Sequence, residues 1–202
     1  MNVAVADFTR LPGSRTRKKN IIFEWADGLV LYEQQELLSL MNRVLERQGC
    51  MGFTRPLSWD EGMSLMMQLS EDIKGREKYL LLARQGNTND IVACVILTPG
   101  NLPICRQTAE ISQVFVHPEY PGSDIISYAL KKVLHQCDRL GVDVLDMNVR
   151  EDVCEFQLWQ DLGFEMVSCI EDVTCFDGMP FRACYLRQSV VALKNKVAPV
   201  HV

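Results

Sequence analysis

Two apolar runs, 109–116 and 143–149, stand on either side of a stretch at 124–140 whose apolar residues recur at helical steps. A crossover of that length cannot be the tight turn of a hairpin. The two runs are therefore expected to lie side by side as parallel strands, with the helix packed across one face of their sheet. This commits the second half of the chain to an α/β arrangement.

The flanking segments extend it. A short strand is expected at 20–25, then an amphipathic helix at 32–48, where Leu37, Leu38, Leu40, Met41, Val44 and Leu45 form one stripe and Gly49 stands at the cap position. A second helix follows Ser58, whose hydroxyl can cap it while Glu61 answers three residues later; Met63, Met66, Met67, Leu69 and Ile73 are read as its inner face. The runs 78–84 and 90–98, separated by a turn-rich segment, predict an antiparallel hairpin. Beyond the central strand-helix-strand unit, 152–162 reads as a helix closed by Gly163, and 164–170 and 182–188 read as final strands hinged at 177–180. The expected organisation is a basic arm at 1–19, one domain at 20–190 and a C-terminal tail at 191–202.

Composition narrows the function classes. The 202 residues, 48% hydrophobic, can bury one substantial core. Against 21 basic side chains stand 26 acidic ones, so the balance of −5 gives no global drive toward nucleic acid or an anionic membrane. The basic arm (Arg10, Arg15, Arg17, Lys18, Lys19) is the local exception and is read as a solvated segment. No apolar stretch has bilayer length and no leader pattern opens the chain, so a cytoplasmic location is expected. The eight cysteines lack C-x-x-C spacing and several sit in apolar periodic segments, which predicts buried thiols rather than a disulfide framework or structural zinc. With three histidines, no metal site is expected.

Two segments carry a resemblance. Residues 109–122, AEISQVFVHPEYPG, are similar to the central strand, V-x-P step and acyl-CoA loop of the GNAT superfamily of acyltransferases, and residues 158–164, LWQDLGF, resemble that family's L-Y-x-x-x-G-F ending. The resemblance implies an α/β (α+β) fold with a mixed, mostly antiparallel sheet flanked by helices. It also implies acetyl-CoA as co-substrate, an amine acceptor that is a small molecule or a protein, and backbone contacts to the pantetheine arm from Val114, Phe115 and Val116. The N-terminus of the helix at 124–140, with its unpaired N–H groups and positive dipole end, is suited to the CoA pyrophosphate. Gly122, Ser123, Asp124, Ile125 and Ile126 are the candidate residues there. A homodimer is left open.

The loop departs from the family pattern. Pro121 removes an N–H donor, Asp124 brings negative charge near the phosphate while suiting an N-cap, and Ile126 adds bulk where a small residue is expected. Trp159 stands where many members have a tyrosine able to protonate the leaving thiolate. The resemblance implies Glu110 as the candidate general base, since many members use a glutamate on this strand, directly or through water, to take the proton that an alkyl ammonium of pKa about 10.4 holds at neutral pH; the other reading is a structural carboxylate. The leading reading is thus an acyl-CoA-dependent N-acyltransferase; the competing one is a binding or structural protein that keeps the fold and has lost the chemistry.

Overall fold

The computed structural model describes residues 20–48, 53, 55–120, 122–151, 154–176 and 179–197, with backbone alone at 48, 122–124, 154–155, 172–176 and 179–181. The arm at 1–19 and the cap position at Gly49 lie outside the described residues. Among the described residues seven strands form one sheet: β1 (Ile21–Trp25), β2 (Tyr79–Gln85), β3 (Ile91–Pro99), β4 (Thr108–Val116), β5 (Val144–Arg150), β6 (Glu165–Phe176) and β7 (Met179–Ser189). Their spatial order is β1-β2-β3-β4-β5-β7-β6. Every pairing is antiparallel except β4 with β5, which is parallel and joined by helix α3 (Gly122–Leu140), as the strand-helix-strand pattern predicts.

Period-two alternation sends the sheet's side chains to two cores. Helices α1 (Leu31–Gln48) and α2 (Trp59–Lys74) cover one face, closing over Leu80, Leu82, Cys94, Ile96 and Phe115. Helix α3 covers the other, with Leu81, Val95, Leu97, Ile111, Val114 and Val116 beneath it. Covered on both sides, β2 and β3 read as nearly unbroken apolar runs. Helix α4 (Cys154–Asp161) brings Trp159 into the α3 core, where it is fully buried and meets Phe164 edge-on at 5.6 Å. Loss of such a side chain costs about 3–5 kcal/mol.

Helix α2 starts on a complete capping box: Glu61 N–H donates to Ser58 Oγ, and Ser58 N–H donates to the Glu61 carboxylate at 2.9 Å. Arg55 pairs with the same carboxylate at 2.7 Å, and these donors together pull the Glu61 pKa down to about 2. Its inner face is narrower than the methionine pattern suggests. Met66, Leu69 and Ile73 are buried, but Met67 is 61% exposed. Gly62 allows close approach to α1, since a Cβ there would fall 2.3 Å from Leu38 Cδ1.

Three expectations are corrected. Helix α3 begins at Gly122, two residues before Asp124, so Asp124 lies in the first turn rather than at the cap. The expected tail at 191–202 contains helix α5 (Val190–Val197), which buries Val190, Leu193 and Val197. Val190, Leu193 and Val197 fall on one helical face, a pattern too short to stand out from sequence. Finally, Cys169 and Cys184 are register partners on β6 and β7 and form a disulfide. Cys94 and Cys137 are buried free thiols, as expected, with pKa values pushed up to about 12 chiefly by burial.

Candidate active site

β4 and β5 pair over only three positions, Thr108↔Val144, Ala109↔Leu145 and Glu110↔Asp146. Beyond Glu110 and Asp146 the two strands run on without pairing to one another, so the sheet opens in its middle. Glu110 stands at the vertex. It is also the register partner of Thr98 on β3, which sets Thr98, Glu110 and Asp146 in one row across three strands. That row lines a cleft of about 860 Å³ on the α1/α2 side of the sheet, with Lys78, Asn148, Tyr185 and Arg187 around it.

Two ion pairs hold charges of the cleft. Arg187 grips Asp146 through a two-pronged contact of 2.6 and 2.9 Å, which holds the guanidinium protonated to still higher pH. Lys78 is bonded to Asp72 at 2.7 Å, and that ammonium draws the Asp72 pKa down against the opposing effect of burial. Thr98 Oγ1 and Asn148 Oδ1 in the cleft are buried without a hydrogen-bond partner among the described residues. Buried polar atoms are normally satisfied, so these two are suited to receive a ligand's donors.

Past the vertex, β4 carries a bulge. Gln113 adopts a left-handed φ of 48°, and the register slips between Ile96↔Ser112 and Cys94↔Phe115. The extra residue exchanges the faces: Glu110 and Ser112 share the cleft side with Phe115, whereas Ile111 shares the α3 side with Val114 and Val116. Val116 is opposite Ala93, and the next residue, His117, donates its N–H to Val92 O at 2.8 Å. In an antiparallel ladder, bonded and non-bonded pairs alternate. Val116 is therefore in a non-bonded pair, and its own N–H is turned away from β3, toward the gap beside β5. Phe115 is directed at β3 by the same alternation, so Val116 rather than Phe115 is aimed at the opening.

The loop leaving β4 is anchored at both ends of its described part. Arg43 of α1 donates to His117 Nε2 at 2.7 Å; a guanidinium has only donors, so this nitrogen accepts. The Tyr120 hydroxyl donates to Gln85 Oε1. Pro121 lies outside the described residues. Helix α3 then starts, and the free N–H groups of its first turn belong to residues 122–125. Ile125 and Ile126 are buried in the α3 core, so only their backbone can meet a ligand. The bulk of Ile126 is directed inward, away from the loop.

Trp159 does not reach the cleft, because its ring faces the core. A phenol does line the cleft, but it is Tyr185, on β7 opposite Asn148. Neither Tyr185, Asn148, Thr98 nor the Asp146–Arg187 pair was singled out by motif. Each stands on a different strand, and only sheet register brings them to Glu110.

A mixed sheet whose parallel central pair parts at a carboxylate, with a helix N-terminus after the first of those strands, is the architecture of GNAT acyltransferases. Residues 41–164, more than half of the chain, match the family model of the acetyltransferase (GNAT) family, and the chain belongs to that family. Solved structures agree in fold. A ribosomal-protein-alanine N-acetyltransferase from Brucella melitensis has a TM-score of 0.66 at 16% identity, over 83% of this chain and 99% of that one. A GNAT superfamily phosphinothricin acetyltransferase from Sinorhizobium meliloti, in complex with AcCoA, has a TM-score of 0.65 at 14% identity, over 84% and 88%. No curated protein matches the chain. Among the described residues no helix is long and apolar enough to cross a membrane, and no group of side chains is arranged to hold a metal ion.

Proposed function

We propose that this chain transfers an acyl group, acetyl in the first instance, from acetyl-CoA to a primary amine. The observation that carries the reading is the parting of β4 and β5 at Glu110 and Asp146, which opens the sheet beside a carboxylate and leaves the Val116 N–H aimed at the gap. The thioester would lie in that gap, its carbonyl oxygen accepting from Val116 N–H, with the pyrophosphate at the N–H groups of residues 122–125.

Glu110 takes a proton from the acceptor's ammonium, directly or through water. The free amine nitrogen attacks the carbonyl carbon, the C–N bond forms, and the C–S bond breaks as the sulfur leaves with the electron pair. Tyr185, a phenol that lines the cleft, would return a proton to that sulfur and be reprotonated by the surplus proton that the new amide nitrogen sheds. The test is calorimetric titration with acetyl-CoA, followed by a thiol-release assay over a panel of primary amines. Binding with amine-dependent thiol release is expected. Binding without release for any amine would favour the binding-protein reading, and no binding would overturn the assignment of the gap.

A further inference from the structure

Helix α2 ends in a Schellman motif: Arg76 N–H donates to Ile73 O at 3.0 Å and Glu77 N–H to Asp72 O at 2.9 Å. In this motif the residue after the cap takes a left-handed conformation, and here that residue is Arg76, with φ of 59°. Glycine is the usual occupant, because a Cβ is strained in this region. The chain places its glycine one position earlier, at Gly75, where φ is an ordinary −71°. An arginine is thus held where the backbone favours glycine.

Its side chain lines the cleft that holds Glu110. The other cations there are already engaged, Lys78 by Asp72 and Arg187 by Asp146. Arg76 has no ion pair among the described residues, including with its neighbour Glu77, and it is exposed to the opening. Arg76 and Glu110 line the same cleft. Tyr79 pairs with Leu97 and Thr98 pairs with Glu110, so β2, which begins three residues after Arg76, runs two strands from β4, about 10 Å away at ordinary strand spacing. Thr98 Oγ1, on β3 between β2 and β4, and Asn148 Oδ1, on β5 beyond Glu110, are buried without a hydrogen-bond partner among the described residues.

We propose that the acceptor is a small amine that also carries a carboxylate. Its ammonium is received by Glu110 and the Thr98 and Asn148 oxygens, while Arg76 reads the carboxylate with its planar fork of donors. The inference rests on the acyl-transfer reading for the direction of the amine, but it concerns recognition and is tested without turnover.

The full chain is titrated calorimetrically with glycine, β-alanine and γ-aminobutyrate, each beside its carboxamide, and acetyl transfer to the same compounds is measured separately. At least one carboxylate is expected to bind about ten- to a hundredfold tighter than its amide, the scale of a charged hydrogen-bonded contact. Arg76→Gly is the decisive variant, because it relieves the left-handed strain. It should melt at a higher temperature and lose the preference, whereas Arg76→Lys should keep part of it. Equal binding of acid and amide, binding of neither, or a preference that survives Arg76→Gly overturns the proposal. A preference seen in the parent chain and lost in Arg76→Gly, with no acetyl transfer to any of the compounds, would instead sink the transferase reading alone.

Discussion

Asp146 is the last register partner of Glu110 before β4 and β5 separate, and Arg187 holds it from β7 with bonds of 2.6 and 2.9 Å. Two carboxylates therefore sit one strand apart at the vertex, and one of them has its charge balanced by a neighbouring strand. The pair is partly exposed, so it contributes little to folding. Arg187→Ala is expected to change stability by less than about 1 kcal/mol. Turnover should fall more, because an unbalanced Asp146 competes for the ammonium that Glu110 must deprotonate. Adding Asp146→Asn should restore part of the lost rate by removing the offending charge. Melting temperatures and initial rates of the three proteins check this, and a double variant no faster than Arg187→Ala would refute the electrostatic account.

Glu110→Gln keeps the shape of the vertex and removes the proton acceptor. Turnover at neutral pH is expected to fall by about 10²–10⁴-fold with acetyl-CoA affinity unchanged. The measurement is steady-state kinetics with a calorimetric titration of the cofactor. An unchanged rate across pH would assign Glu110 to structure.

Asp124→Gly tests cofactor affinity against helix stability. Unit charges 4 Å apart repel by about 4 kcal/mol at an effective dielectric of 20, and solvent lowers that figure. In the first turn of α3, Asp124 also complements the positive end of the helix. Asp124→Gly is expected to tighten acetyl-CoA binding and to lower stability by roughly 0.5–1 kcal/mol, the cost of glycine in a helix. Weaker cofactor binding in the variant would refute the repulsion argument.

The start of α2 predicts a pH dependence. Glu61 is drawn to about 2 from an ordinary value of 4.5, first by Arg55 and then by the Ser58 side chain and backbone. A lowered carboxylate pKa means that the charged form is favoured in the folded state. Its contribution is present above 4.5, and it is lost as pH falls from there through about 2. Thermal unfolding between those pH values should therefore fall less steeply for Glu61→Gln than for the parent chain. Parallel curves would show that the capping box adds nothing pH-dependent.

The order of elements was legible in the residues because it depends on local periodicity. Helical spacing in α1 and α2, the hairpin between β2 and β3, and the crossover over α3 each follow from neighbours a few positions apart. The bases for naming Glu110 and the β4 segment were equally local, a fourteen-residue run and a short ending resembling one family. Elements whose signal is weak locally were read less well. The eight-residue α5 passed as a tail, and the start of α3 fell two residues early because Gly122 and Ser123 resemble loop residues. What tertiary structure alone decided is everything that depends on register across distant strands: the Cys169–Cys184 bond, the row of Thr98, Glu110 and Asp146, the clamp from Arg187, and the inward turn of Trp159. A one-residue slip in any strand would send its side chains to the other face, and register is chosen by the summed burial of the whole sheet, not by any segment's own sequence.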